Sequence, residues 1–448
     1  VILLEKLISK YFIPGKTFSL DDYIKDGGYQ AAKTVFEKLT PKDLLEEVKK
    51  SNLRGLGGAG FLTGMKWSFV PQNTGKPVYL VVNCDEGEPG TFKDKYILNH
   101  APHLLLEGII IAAYANNVRK AFVYIRGEYT GPYRKLNQAI EEAKTQGFLG
   151  QNIFGKNYDL EVVLHRGAGA YICGEETGLL ESLEGKKGLP RLKPPFPAVV
   201  GLFGCPTVIN NVETLSYLPF IINRGAEWFA GLGSSKNGGM RLFGVSGNVK
   251  RPGVYELPLG ISLKKIIYDY AGGIPGDKKI KAVVPGGLSS AVLTPDQLDV
   301  GMDFDQLRAI GTMAGSAGVI VMDETVSMVE ALFATMRFYA HESCGQCSPC
   351  REGTGWVYRI LSRIVEGRGR LKDIDNLLDI GSFMTGTTIC ALADGAAMPL
   401  LSYLQKFRGE FEEYICSGRK TSLEQAGHEE PGSEVKRGQG LVVAGTRI

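Results

Sequence analysis

The sequence predicts an α/β protein in three parts: a layered α/β domain with a largely parallel sheet, a small α+β insert, and a helical bundle that carries clustered cysteines. Three features of the chain predict it. Between residues 77 and 183, apolar runs of strand length alternate with segments of helical periodicity, the pattern of a layered sheet. From Met240 the texture changes to short strands with turns. From about residue 325 to 416, apolar residues recur at helical spacing on both sides of Ser343-Cys344-Gly345-Gln346-Cys347-Ser348-Pro349-Cys350.

The chain has 448 residues, enough for about three domains of ~150 residues. Its 51 basic and 48 acidic residues give a net charge of +3, so nothing demands nucleic acid or an anionic membrane as a partner. Eight cysteines, four of them assignable to one site, fit a reducing compartment better than a disulfide framework. The most apolar stretch, Leu104 to Ala115, is broken by Glu107 and Gly108, so a soluble protein without a spanning helix is expected. The leading Val-Ile-Leu-Leu-Glu-Lys-Leu lacks the parts of a signal peptide and reads as mature sequence.

A polar leading segment is followed by a helix over Thr40 to Lys50, with a Thr cap, Pro at the first helical position and acids in the first turn. It runs into Arg54-Gly55-Leu56-Gly57-Gly58-Ala59-Gly60-Phe61. Gly55, Gly57 and Gly60 satisfy G-x-G-x-x-G, but a dinucleotide fingerprint needs a strand before it, and here a helix precedes. Such a loop still suits a phosphate or a ring, because unhindered amides approach an anion closely; a plain surface loop is the alternative. Pro77 to Asn83 is a buried strand by its β-branched and aromatic content, ending in Cys84-Asp85-Glu86-Gly87-Glu88. Acids at the carboxyl end of a parallel strand sit where open α/β sheets bind ligands, although a solvated acidic loop has the same composition.

A helix around His103 to Ala115, a strand Ala121 to Ile125, a helix around Tyr133 to Lys144 and a strand Leu160 to Leu164 follow. The last strand leads through glycines to Tyr171-Ile172-Cys173-Gly174-Glu175-Glu176, which opens a helix whose free amides favour anions. The two glutamates also simply suit the helix dipole. Arg191-Leu192-Lys193-Pro194-Pro195-Phe196-Pro197 reads as stiff, extended and basic, a linker or a clamp. Asn210 and Asn211 can donate and accept toward a heteroaromatic ring or ribose, or serve as turn residues. The insert, with strands near 241–245, 253–257, 282–284 and 318–322 and a helix Leu263 to Tyr270, holds no catalytic constellation and reads as a packing or partner-binding unit.

Cys344, Cys347 and Cys350 put three thiolates on one short loop. Iron-sulfur cubanes take four cysteines, often three at this spacing and one from elsewhere, and Cys390 in Thr387-Thr388-Ile389-Cys390-Ala391 is the expected fourth. The alternative is zinc, whose structural sites usually pair two C-x2-4-C or H-x3-5-H halves with no second half present here, or a plain set of buried thiols. His341 beside the cysteines reads as a capping or surface residue. A cluster takes one electron at a time, whereas a soluble reductant such as NADH delivers two as hydride, and flavin is the usual converter.

The segments Gly55 to Trp67, Asn83 to Lys95, Ala170 to Glu184, Pro190 to Ala198, Asn210 to Thr214 and Glu342-Ser343-Cys344-Gly345-Gln346-Cys347-Ser348-Pro349-Cys350-Arg351-Glu352-Gly353 closely resemble the NADH-binding flavoprotein subunits of respiratory complex I. The match runs in order from about residue 40 to 415. The resemblance implies FMN and one [4Fe-4S] cluster, with hydride passing from NADH to FMN and electrons leaving singly through the cluster toward quinone reduction. No acid or base residue is required for that transfer. The parts become an FMN- and NADH-binding α/β domain over 1–239, a β-grasp-like domain over 240–325, a cluster-bearing bundle over 326–416 and a disordered tail over 417–448.

By motif, the resemblance assigns FMN to Gly55, Gly57, Lys66, Asn83, Asp85, Tyr171, Gly174, Glu175, Asn210 and Asn211. It assigns NADH to Phe61, Phe69, Glu88, Glu176, Lys193 and Phe196, with the rings on adenine and Glu176 near the adenosine ribose, where a carboxylate repels a 2′-phosphate and favours NADH over NADPH. It assigns the cluster to Cys344, Cys347, Cys350 and Cys390. Two positions depart from the pattern: Leu56 replaces an arginine in the glycine loop, and Lys95 replaces an arginine, keeping the charge but losing the planar fork. A partner subunit with a [2Fe-2S] cluster, a larger complex I assembly and a cytoplasmic location, peripheral to the inner membrane through that complex, are also implied. The same module in a soluble hydrogenase or formate dehydrogenase is the runner-up, and a non-catalytic electron-transfer scaffold is a third reading.

Overall fold

In the computed structural model, residues 5–71 and 74–421 are described; most of the expected tail lies outside them. Four parallel strands form the first sheet: β1 (Tyr79–Cys84), β2 (Lys120–Ile125), β3 (Glu161–Arg166) and β4 (Thr207–Asn211), in the order β3-β2-β1-β4. The register pairs Asn83 with Asn211, so the carboxyl ends of β1 and β4 emerge side by side. The helix Pro102–Ala115 is buried along nearly its whole length, which explains why its apolar run has no clean polar face.

The second sheet holds β5 (Met240–Gly247), β6 (Gly253–Pro258), β7 (Ile280–Val284) and β8 (Gly318–Asp323), in the order β6-β5-β8-β7. Strands β5 and β8 are parallel, and the outer pairs are antiparallel. The helix expected over Leu263 to Tyr270 has one α-helical turn, Leu263–Lys265, followed by a wider turn, Ile266–Tyr270. The described residues then form the bundle helices Met328–Glu342, Ser348–Arg363, Lys372–Met384, Leu392–Lys406 and Arg408–Cys416. Beyond them, residues 417–421 stay on the bundle, where the Thr421 amide donates to Val365 O at 2.9 Å and its hydroxyl to Glu330 at 2.7 Å.

The leading segment is more ordered than its composition suggests, with helices Leu20–Lys25 and Gln30–Lys38. Their shortness hid them from periodicity. The expected helix at 41 is present as Pro41–Lys50 with a capping box: the Asp43 amide donates to Thr40 Oγ1, and the Thr40 amide to Asp43 Oδ2. The segment around Lys193 is bent rather than extended, and the Lys193–Pro194 and Pro194–Pro195 peptide bonds are cis. Among the described residues, no single helix is long and apolar enough to cross a membrane.

One buried carboxylate fastens the leading segment to the second sheet. Glu256 on β6 accepts from the amides of Leu7, Ile8 and Ser9, from the Ser9 hydroxyl and from the Tyr217 hydroxyl, all at 2.8–3.0 Å. Removing it leaves those donors unpaired, two of the amides fully buried. Glu256→Ala therefore costs about 3 kcal/mol, measured as a lower melting temperature and faster proteolysis within residues 5–12; an unchanged cleavage rate refutes the fastening role.

Candidate functional site

The glycine loop projects beyond the ends of β1 and β4. Its base is closed where the Gly55 amide donates to Phe61 O and the Thr63 amide to Leu53 O, both at 2.8 Å. Leu56 is buried, its amide donating to Thr214 Oγ1 at 2.8 Å. A Cβ at Gly57 would stand 3.0 Å from Asn211 Cβ, whereas Gly58, at φ +154°, faces open space. The loop thus lies against β4 on one side and leaves bare backbone toward a cleft on the other.

The floor below the loop is ionic and dry. Lys93 is 1% exposed, and its ammonium lies 2.9 Å from Asp94 Oδ1 and 2.8 Å from Glu213 Oε2. Burial pushes this amine down, but Asp94, Glu213 and then Glu86 more than reverse it and keep Lys93 charged. Asn211 Nδ2 donates to Asp94 Oδ2 at 2.6 Å, and Glu86 accepts from the Asp94 and Lys95 amides and the Tyr129 hydroxyl. The Lys95 side chain carries none of this floor.

Above it is a cleft of about 370 Å³, within the size range of cofactor sites. Of the sequence-predicted residues, Gly57, Asn83, Asp85, Glu88, Tyr171, Gly174, Glu175 and Asn211 line it. Several serve each other: Asn83 donates to Gly174 O at 2.8 Å and accepts from the Asp85 amide at 3.0 Å. Glu175 caps the helix Glu176–Leu183 through the Thr177 and Gly178 amides. Asp85 Oδ2 is different, a buried acceptor with no hydrogen-bond partner among the described residues. Burial pushes its carboxyl up to about 7, with Arg126 opposing. An orphaned acceptor, bare loop backbone and side-chain amides are the donor and acceptor set that a flavin nucleotide needs.

Gly55, Lys66 and Asn210 do not line this cleft. Gly55 closes the loop, Asn210 accepts from the Trp67 indole N–H at 2.9 Å, and Lys66 belongs to a rim network. In that rim the Glu176 carboxylate lies 3.1 Å from Lys193 and 3.4 Å from Lys66, and Lys193 also reaches Glu175 at 3.0 Å. Burial raises the Glu176 carboxyl, but Lys66 and Lys193 outweigh it and hold the group below its usual range. Phe61 and Phe69, 51% and 53% exposed, have centroids 6.0 Å apart, and Phe196 is also exposed at 57%. Open aromatic faces suit the stacking of a base, and an ionised carboxylate suits the hydroxyls of a ribose.

Cys344, Cys347, Cys350 and Cys390 ring one small pocket with Ile172, Thr388 and Leu392. Cys344 and Cys347 lie on the loop before the helix Ser348–Arg363, Cys350 in its first turn, and Cys390 on the loop before Leu392–Lys406. Burial pushes the Cys390 thiol up to about 11, a penalty that a bound cation offsets. Four cysteines converging on one pocket match the thiolate set that an iron-sulfur cubane takes. His341 is 85% exposed in its side chain. Ile172, Cys390 and Leu392 line both this pocket and the cleft.

Sequence reasoning missed the second sheet's share of the site: Gly286, Ser289, Met313, Gly315 and Ser316 also line the cleft. Their only signal was small residues at strand ends, in Pro285-Gly286-Gly287-Leu288-Ser289-Ser290 and Ala314-Gly315-Ser316. It also missed Lys93, Asp94 and Glu213.

A bare-backbone cleft at the end of a parallel sheet, sharing a wall with a four-cysteine pocket, defines a flavin and iron-sulfur redox protein. Three family models match in order: Nuo51 FMN-binding domain over residues 48–219, SLBB domain over 242–289, and NADH-ubiquinone oxidoreductase-F iron-sulfur binding region over 330–414. An NADH-quinone oxidoreductase F subunit of Rhizobium meliloti, numbered 2 in that organism, is 53% identical over 397 residues, covering 88% of this chain and 94% of that protein. The F subunit of the same oxidoreductase in Mycobacterium bovis is 50% identical over 421 residues, covering 93% and 94%. Among solved structures, the NAD+-reducing [NiFe]-hydrogenase in its H2-reduced state aligns with a TM-score of 0.79 at 34% identity, covering 95% of this chain and 73% of that one. Its air-oxidised form gives 0.78 at 36% identity, covering 89% and 67%. The chain belongs to the family of NADH-quinone oxidoreductase F subunits and carries that family's FMN-binding and [4Fe-4S]-binding regions.

Because the folded-state pKa of Asp85 lies above its unfolded value, its contribution to stability is complete below about pH 4 and is lost as pH rises through about 7. Asp85→Asn is expected to raise the melting temperature of flavin-free protein near pH 8, with the gain narrowing toward about pH 4. A gain that stays constant with pH counts against a raised carboxyl here.

Proposed function

We propose that the chain is the NADH dehydrogenase module of a multi-subunit NADH:quinone oxidoreductase, with FMN in the cleft and NADH entering over the aromatic rim. The observation that carries this is the shared wall: Ile172, Cys390 and Leu392 face both the cleft and the cysteine pocket, so the two centres are separated by little more than one side-chain layer. When bound, FMN supplies two-electron acceptance from NADH and single-electron release, and the [4Fe-4S] cluster supplies the one-electron outlet.

The chain's own residues bind and orient. Gly57 and Gly58 offer unhindered backbone to the cofactor, and Asn83, Asp85 and Asn211 meet its polar edges, the unpaired Asp85 oxygen accepting from a ring N–H. Phe61, Phe69 and Phe196 offer stacking faces to adenine, while Glu176, kept ionised by Lys66 and Lys193, accepts from the ribose hydroxyls. No side chain is needed to move a proton when hydride passes. Cys344, Cys347, Cys350 and Cys390 hold the cluster. The division at residues 239, 325 and 416 assigns nucleotide binding, cleft closure and cluster binding to successive parts. The electron acceptor is a partner subunit with a [2Fe-2S] cluster, and the assembly meets the cytoplasmic membrane only through other subunits.

Anaerobic addition of NADH to purified protein is the direct test, watched by flavin absorbance and by electron paramagnetic resonance of the cluster; a flavin that stays oxidised overturns the proposal. The likeness to the hydrogenase structures favours a second assembly, so copurified subunits distinguish a quinone-reducing complex from a hydrogenase. Cys390→Ala is expected to keep flavin but lower iron and sulfide content; unchanged content removes Cys390 from the ligand set. Glu176→Gln is expected to raise kcat/KM for NADPH relative to NADH by roughly tenfold, and an unchanged ratio places the ribose elsewhere.

A further inference from the structure

One chain of hydrogen bonds joins all three parts of the fold at the cleft wall. Glu88 Oε2 accepts from the Tyr171 hydroxyl at 2.5 Å. Its Oε1 accepts twice from Ser289, from the amide at 2.7 Å and from the hydroxyl at 2.6 Å. Ser289 lies between β7 and β8, and its oxygen is also 2.7 Å from the hydroxyl of Tyr339 on the helix Met328–Glu342. A serine hydroxyl has one proton. Since Ser289 gives that proton to Glu88, Tyr339 must donate to Ser289, and the direction of every bond follows: Tyr339 to Ser289 to Glu88, with Tyr171 closing from the other side.

Ser289 and Tyr339 are 8% and 0% exposed, and the bundle leaves room for them at Gly395, where a Cβ would stand 3.3 Å from Ser289 Oγ. Burial and the neighbouring carboxylate keep the Tyr171 and Tyr339 phenols well above their usual range, so both stay neutral donors. The other ionisable cleft residues, Asp85, Glu86, Lys93, Asp94, Glu175 and Asp394, are not among the hydrogen-bond partners of Glu88. Burial pushes the Glu88 carboxyl up, and the hydrogen bonds from Ser289 and Tyr171 oppose it; in its ionised form a carboxylate has about four lone-pair sites. Three donors from the protein fill three of them and leave one for a ligand.

We propose that Ser289 and Tyr339 are positioning residues for NADH oxidation: they hold the Glu88 carboxylate in one orientation, with its remaining lone pair available to an N–H or O–H donor of the dinucleotide. This rests on Glu88 belonging to the NADH pocket. Without the Ser289 hydroxyl, Oε1 regains a free lone pair and the carboxylate can turn, so the ligand loses a fixed acceptor. Tyr339→Phe acts one bond further away, through the same serine.

The test is equilibrium binding of NAD+ to purified, cofactor-loaded protein, alongside steady-state kinetics. Ser289→Ala is expected to weaken NAD+ binding and raise KM roughly tenfold, with flavin content unchanged. Tyr339→Phe produces a smaller change of the same kind, and Ser289→Thr restores binding. In a Glu88→Gln background, neither Ser289→Ala nor Tyr339→Phe weakens binding further. If both weaken it equally with Glu88 present or replaced, their role is general packing and the proposal falls. If Glu88→Gln weakens binding but Ser289→Ala and Tyr339→Phe do not, the positioning role falls while the pocket assignment stands. If Glu88→Gln binds NAD+ like the unaltered protein, the pocket assignment falls and takes the proposal with it. Tyr339→Phe removes one oxygen and no carbon, so it decides the matter should Ser289→Ala fail to accumulate.

Discussion

The site depends on one buried ammonium. Lys93 sits under the ends of β1 and β4 with Asp94 and Glu213 against it and Asn211 alongside. Taking such charges out of water is costly, and removing one partner from a buried pair typically costs about 3–5 kcal/mol because the other is left uncompensated. The arrangement therefore gives specificity more than stability. Asn211 takes its place beside Gly57 with Asp94 accepting from its amide, and Lys93 is the cation that faces Asp94. Glu213 extends the same network to the second sheet by accepting from the Leu242 amide at 2.6 Å.

A second constraint is that no single part of the fold encloses the cleft. The first sheet supplies Asn83, Asp85 and Asn211, the second sheet supplies Ser289 and Ser316, and the bundle supplies Cys390 and Leu392. Tyr171 is held from two of these directions, its amide donating to Glu342 on the bundle and its hydroxyl to Glu88. A cofactor between such walls is shielded from bulk water on several sides, which strengthens each polar contact made to it. The rim differs. Phe61, Phe69 and Phe196 are half exposed.

Much of this was legible where chemistry imposes a local pattern. The apolar run at Pro77 to Asn83 became β1, Thr40 and Asp43 formed their capping box, and the three-residue cysteine spacing marked a single pocket. The glycine loop was correctly separated from a dinucleotide fingerprint because a helix, not a strand, precedes it. Illegible were the contacts made across long separations. Lys93 and Glu213 are far apart in the chain, and a lysine among acids ordinarily reads as surface. Ser289 went unread, since a small polar side chain between strands carries no sign of what it will face. Asn210 and Asn211 looked alike in sequence, yet strand alternation turned Asn210 to Trp67 and Asn211 to Asp94. That Cys390 would share a wall with the cleft could come only from the fold, since nothing in its neighbours points to Ile172.

The three-walled cleft also governs the order of events during synthesis. Gly57 leaves the ribosome more than three hundred residues before Leu392 and Met398, which line the same cavity. Until those residues emerge, the first sheet is an open surface with its ionic floor facing water, and the serine and tyrosine that meet Glu88 are still to be placed. The enclosed cleft therefore does not exist on a nascent chain until the bundle has been translated.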